Sequence, residues 1–167
     1  MISRYRLLGL LLATLTFISL IYWYQRTAPP ASISFELPAP FSVGQEIAVP
    51  LTISTTVAMN AAEFYFTFPP DILEVRSIDQ AGSFYELWIT NYPRFDNEAG
   101  TLELAGGLPK PGFVGRGGLV ATVYFRAKIV GEGEITLDGE KSRILANDGL
   151  GTEIERRVFT PIRFQVR

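Results

Sequence analysis

Hydrophobic and polar residues alternate with a period of two along most of the chain after residue 31, in short runs punctuated by Gly, Pro, Asn and Asp. That is the pattern of half-buried β-strands, and apolar residues recurring every three or four positions, as a helix requires, are almost absent there. Ser32–Leu37 predicts a first strand and Glu46–Thr55 a second, with Ile47, Val49, Leu51 and Ile53 on one face. Residues 61–68 place Ala62, Phe64, Phe66 and Phe68 inward and Ala61, Glu63, Tyr65 and Thr67 outward, before Pro69-Pro70-Asp71 ends the run. Leu73–Ile78, an aromatic segment from Phe84 to Asn91 with muddled alternation, and Thr101–Ala105 follow. Gly117-Gly118 opens the longest strand, in which Leu119, Ala121, Val123, Phe125 and Ala127 face one way. Gly133–Leu137, Arg143–Ala146 and a terminal strand with Val158, Thr160, Ile162, Phe164 and Val166 on one face bring the total to about nine. Strands spaced locally and evenly, with no helices between them, exclude a parallel α/β sheet and predict an all-β antiparallel sandwich.

The first 26 residues follow a different rule. Leu7 to Tyr24 runs without one charge, long enough as a helix to cross most of a bilayer's hydrocarbon layer of ~30 Å. Arg4 and Arg6 precede it, and the aromatic cluster Tyr22, Trp23, Tyr24 and then Arg26 follow, an arrangement that predicts a membrane span with the N-terminus inside and the rest outside. A cleaved secretory signal has the same layout, but ending at Ala28 or Ala31 puts Arg26 or Pro29 where a small residue belongs, which favours a retained anchor. Residues 27–32 read as a short Pro-containing linker and residues 33–167 as one domain, held close to the membrane because so few residues separate the two.

Composition narrows the chemistry. The 167 residues include no Cys and no His, which removes disulfides, thiolate or imidazole zinc sites, and any Ser-His-Asp or Cys-His pair. Three of the 15 basic residues flank the apolar run, so residues 28–167 carry 12 basic against all 17 acidic residues, a net of −5. An acidic body argues against nucleic-acid binding, which leaves a basic footprint, and against adhesion to an anionic lipid surface. Gly115-Arg116-Gly117-Gly118 precedes a strand rather than a helix and so lacks the helix end that binds phosphate. Loops are short, no cleft-forming insertion is evident, and the chain is not expected to be an enzyme.

Three sets of residues remain as candidates. Glu63 and Tyr65 are either a solvated sheet face or contacts for a partner. Phe84, Tyr85, Trp88, Tyr92 and Phe95 are either core and edge packing or a platform for sugar rings, with Tyr85 and Trp88 as the stacking residues of a polysaccharide site. Asp96-Asn97-Glu98 and Asn147-Asp148-Gly149 carry oxygens that calcium accepts, but Leu150 and Thr152 break the EF-hand spacing, so turn chemistry is the simpler reading and no cofactor is expected.

Several ordered segments resemble the cohesin domain: Ser42-Val43-Gly44-Gln45-Glu46-Ile47, Ala62-Glu63-Phe64-Tyr65-Phe66-Thr67-Phe68 with Leu73-Glu74-Val75, Gly106 to Phe113, Gly117 to Lys128, and Leu145 to Thr152. The resemblance spans residues 31–166 and is nearer to divergent, single-domain cohesin-like proteins than to scaffold repeats. It implies a nine-stranded jelly-roll sandwich, related to carbohydrate-binding modules and without catalytic activity. It also implies a protein partner, the dockerin module, through which polysaccharide-degrading enzymes are attached to a scaffold or cell surface. By the same resemblance Glu63, the acidic residue before Phe64, and Tyr92, before Pro93, match positions that contact dockerin, whereas Ala61 replaces a residue that is often polar.

Overall fold

The computed structural model describes residues 4–27, 29–37 and 40–167, apart from the side chains of residues 4–8 and 21–27. Helix α1 (Arg4–Thr27) leads into ten strands among the described residues: β1 (Ala31–Phe35), β2 (Glu46–Thr67), β3 (Leu73–Asp79), β4 (Leu87–Trp88), β5 (Arg94–Asp96), β6 (Thr101–Gly107), β7 (Phe113–Ala127), β8 (Gly131–Leu137), β9 (Arg143–Ala146) and β10 (Ile162–Val166). β1 starts inside the segment read as linker.

The two predicted strands at 46–55 and 61–68 are one. β2 runs 22 residues and bends between its halves, so that all ten strands form one hydrogen-bonded, antiparallel sheet folded into two layers. The first half of β2 lies between β1 and β7, and β3 pairs the far side of β7. The second half lies between β6 on one side and β8 and β9 on the other, with β4 and β5 beyond β6 and β10 beyond β8. The bend falls at Thr55–Met59, where the register with β7 slips. No Gly or Pro marks it; instead the buried Thr55 hydroxyl donates to Val57 O (2.7 Å) and accepts from Val57 N (3.1 Å), satisfying backbone groups that the ladder abandons there.

Both layers turn their alternate residues onto one core. Ile47, Val49, Leu51 and Ile53 from the first half of β2 and Ala62, Phe64 and Phe66 from the second are buried, as alternation predicts. Phenylalanines join the layers: Phe35 packs on Phe66 at 4.9 Å between ring centroids and on Phe125 at 6.0 Å, and Phe68 meets Phe125 edge-on at 5.8 Å. Two predicted alternations fail for identifiable reasons. In β7 a bulge opposite Leu51/Thr52 leaves Val120 as an extra residue, so Val120 and Ala121 are both buried and Leu119 is not. In the terminal strand only Ile162–Val166 pairs; Val158 is 87% exposed and belongs to an irregular stretch.

Along α1 the large apolar residues Leu10, Leu11, Leu12, Leu15, Phe17, Ile18 and Leu20 are each more than half exposed. Among the described residues no helix is long and apolar enough to cross a membrane. The ends of the predicted span, Leu7 and Tyr24, have side chains outside the described residues.

At Gly107 the two central strands of the second layer approach so closely that a Cβ would sit 1.9 Å from Asn60 O and 2.7 Å from Ala61 Cα. A methyl group there must push β6 off β2. Gly107→Ala is therefore expected to lower stability by about 3 kcal/mol or more. Gly149→Ala, at a positive-φ site with open space around it, should cost only about 1–2 kcal/mol. Denaturant unfolding of the two variants checks the order, and equal losses would refute the close approach.

Candidate interaction face

The outer face of the second layer is ordered by register. Leu87, Gly107, Ala61 and Leu145 stand opposite one another across β4, β6, β2 and β9. The next row along the strands holds Ala105, Glu63 and Arg143. Arg94, Glu103 and Tyr65 make the third row, and Asp96, Thr101, Thr67 and Thr136 the fourth. At ordinary strand spacing this is a patch roughly 15 by 20 Å, apolar at one end and polar at the other. Ala105 (1% exposed) and Gly107 are buried and Ala61 and Leu145 are half-buried, so at this end the side chains open to a partner are chiefly Leu87 (60% exposed) and Ile89 (47%).

Tyr65 sits where β2 changes partner from β8 to β9, and a turn absent from the predicted strands holds it. Its N–H donates to the buried Ser142 Oγ at 3.0 Å and its carbonyl accepts from Asp138 N at 2.8 Å. Asp138 in turn accepts from Glu140 N and Lys141 N, both at 3.1 Å, and Lys141 Nζ lies 3.2 Å from its carboxylate. These bonds, led by that from Lys141 N, hold the Asp138 carboxyl below the usual range. Sequence reasoning missed Ser142 and Asp138; the only local signal is the turn-forming Asp-Gly pair at 138–139.

Tyr92 reaches the same spot from the loop between β4 and β5. Its hydroxyl lies 3.3 Å from that of Tyr65. The Arg94 guanidinium stands 5.0 Å from the Tyr92 ring centroid and its Nε donates to Glu103 Oε2 at 2.8 Å. The hydrogen bond with Tyr92, then burial, then the carboxylates of Glu63 and Glu103 push the Tyr65 phenol up to about 12. The structure thus brings Tyr65 and Tyr92 together, with Glu63 in the adjoining row, although 27 residues separate the tyrosines in sequence.

Tyr85 and Trp88 do not join this face. Residues 84–86 cross between the layers, Phe84 N donating to Leu119 O (2.9 Å) and Glu86 N to Gly107 O (3.0 Å), and this turns Tyr85 inward. Tyr85 is 5% exposed, with its hydroxyl donating to Ala62 O at 3.3 Å and its ring 5.0 Å from Trp88. Burial raises its phenol far above the usual range. Trp88, opposite Gly106, is half-buried against it. The predicted sugar platform therefore loses Tyr85 to the core and one face of Trp88 to Tyr85.

The oxygen-rich segments are also engaged locally. Asp96 Oδ1 accepts from Glu98 N (2.8 Å) and Ala99 N (2.9 Å), and Asn97 forms a two-way bridge to the Val75 backbone where β3 bulges. Asp148 accepts from Leu150 N, and Asn147 donates to Pro111 O. Among the described residues no three Asp or Glu side chains converge as a metal site would need.

The described residues thus form a two-layer antiparallel sandwich whose outer face is apolar at one end and polar at the other. No family model matches the chain, and no curated protein matches it. Solved structures do, cohesins among them. A cohesin from Clostridium acetobutylicum has a TM-score of 0.65 at 13% identity, covering 83% of this chain and 92% of its own. The third cohesin of ScaC from Acetivibrio cellulolyticus, in complex with the ScaB dockerin, scores 0.64 at 18% identity over 81% and 98%. A non-cellulosomal cohesin from the archaeon Archaeoglobus fulgidus scores 0.62 at 20% identity over 82% and 91%. The fold is a divergent cohesin-like fold.

Because the Tyr92 bond is the largest cause of the Tyr65 shift, Tyr92→Phe is expected to bring the Tyr65 phenol down toward 10. A raised folded-state value stabilises the fold fully below pH 10, and that share disappears as pH climbs through about 12, so the variant should also show less alkaline loss of stability across that window. Tyrosinate absorbance titration measures the first effect; an unchanged profile would show that the two hydroxyls do not bond.

Proposed function

We propose that this protein is a non-catalytic docking module that captures a dockerin-type protein partner on the outer face of its second layer, and that α1 holds the module at the membrane on the extracytoplasmic side. The face itself carries the reading: exposed apolar Leu87 and Ile89 stand at one end and the Tyr65–Tyr92 pair, Glu63 and the Arg94–Glu103 ion pair at the other. Apolar contact supplies area and the polar row supplies orientation, the division found in protein interfaces. Cohesins of the same fold in complex with dockerins support this choice of partner.

Two observations favour the anchor. The exposed leucines of α1 form no part of the sandwich core. The hydroxyls of Thr14 and Thr16 turn back onto the carbonyls of Leu11 and Leu12, so they leave no polar group that needs water.

The test is a binding assay of the full chain in detergent against dockerin modules encoded in the source genome. Glu63→Lys and Tyr92→Ala are each expected to weaken binding roughly tenfold, consistent with loss of one oriented polar contact. No measurable affinity of the unaltered chain for any of these modules would end the dockerin reading.

A further inference from the structure

We infer that a cleft beside the end of α1 binds the phosphate of an anionic membrane lipid headgroup, one that carries no neutralising ammonium, and so seats the domain against the bilayer; the inference rests on the anchor proposed above. The cleft, about 650 Å³, is bounded by Pro29 and Pro30, by Ser54 and Thr56 of β2, and by Arg116 and Arg157, and no Asp or Glu lines it. Two separate backbone devices deliver the arginines. In β7, Ile53 pairs with Gly118 and Thr55 with Gly115, so Ser54 alone stands opposite both Arg116 and Gly117. This is a bulge, with Gly117 at φ 64 and its N–H donating to Ser54 Oγ at 3.0 Å, and a bulge re-aims the residue it carries. Ser54, which accepts that bond, lines the cleft. Arg157 is fixed from the other side, its N–H donating to Ala31 O at 2.7 Å while Ala31 N donates to Glu155 O at 3.2 Å.

Neither arginine enters an ion pair among the described residues; Arg143, Arg156 and Arg167 share this, but none of those three lines the cleft, while Arg76, Arg94, Arg126 and Arg163 are all paired. Two positive side chains line one cleft with no acidic residue among its lining, and a phosphate offers oxygens in the geometry a guanidinium fits. The body of the chain is acidic, so this positive cleft is a local reversal of charge. Its position names the source of the phosphate: Pro29 follows the end of α1 by two residues, so a rim of the cleft lies within about 8 Å of where the helix ends, whatever direction the helix takes. A headgroup phosphate is the anion concentrated at that level.

The chain has no cysteine, so Val114→Cys, in the cleft lining, gives a single labelling site. The labelled full chain is reconstituted into vesicles of phosphatidylcholine alone or with phosphatidylglycerol, each carrying a headgroup quencher, and flotation is measured in parallel. Quenching should be strong with phosphatidylglycerol. Arg116→Glu with Arg157→Glu should remove most of it while flotation persists, a fall of at least roughly 30-fold in the docked-to-free ratio at about 1 kcal/mol per lost arginine. Arg116→Lys with Arg157→Lys should restore part of it and shows that the doubly substituted chain has not simply misfolded. Quenching that is equal in both lipids and indifferent to the substitutions overturns the proposal. So does binding of inorganic phosphate to the detergent-solubilised chain with no gain from anionic vesicles. Failure to float would sink the anchor, and the headgroup site with it.

Discussion

Everything in the sandwich hangs on one strand. β2 pairs with β1 and β7 through its first half and with β6, β8 and β9 through its second, so it is the element that makes two layers one sheet. Its alternation must hold on both sides of the bend, because a slip of one residue would turn Phe64 and Phe66 outward and Glu63 and Tyr65 into the core. The bend is therefore constrained more tightly than an ordinary loop. Thr55 bonds its own neighbour's backbone, and Met59 beyond it returns fully buried to the core. The candidate interaction face is the reverse side of this constraint, since the residues that project outward are fixed by those that must point in.

The sequence made much of this legible where alternation is clean. The inward residues of both halves of β2, the span of β9 and most of β7 follow from a period of two alone. The junction between the halves was not legible, because Thr56, Val57 and Ala58 carry neither punctuation nor a preferred face, and only pairing across the sheet shows that the strand continues. The bulge in β7 hides inside Leu119-Val120-Ala121, an apolar run in which any register looks acceptable. The aromatic segment at 84–95 was unreadable for a related reason: β4 and β5 are two and three residues long, and Tyr85 is turned inward by bonds to two distant strands.

Of the face, single residues could be foreseen and their grouping could not. Glu63 and Tyr65 project by alternation, and the family likeness adds Tyr92. That the two tyrosine hydroxyls meet, and that Arg94 and Glu103 lock beside them, depends on β6 lying between β2 and β5, a long-range pairing that local pattern does not encode. Ser142 shows the same limit. A lone serine in a polar turn has no signature, yet it supplies the bond that replaces a ladder partner for Tyr65.

The attachment of β1 has a mechanical consequence. β1 follows directly on the tether and pairs antiparallel with β2 over five residues, from Ala31 opposite Thr55 to Phe35 opposite Leu51. Tension entering at Pro30 along the strand axis loads those pairs together, in shear, instead of unzipping them one by one. The bonds of Ala31 to Glu155 and Arg157 add the C-terminal stretch to the same clamp. If the module is held at this end and a partner docks on the opposite layer, as proposed above, the load passes through its longest strand, which both layers share.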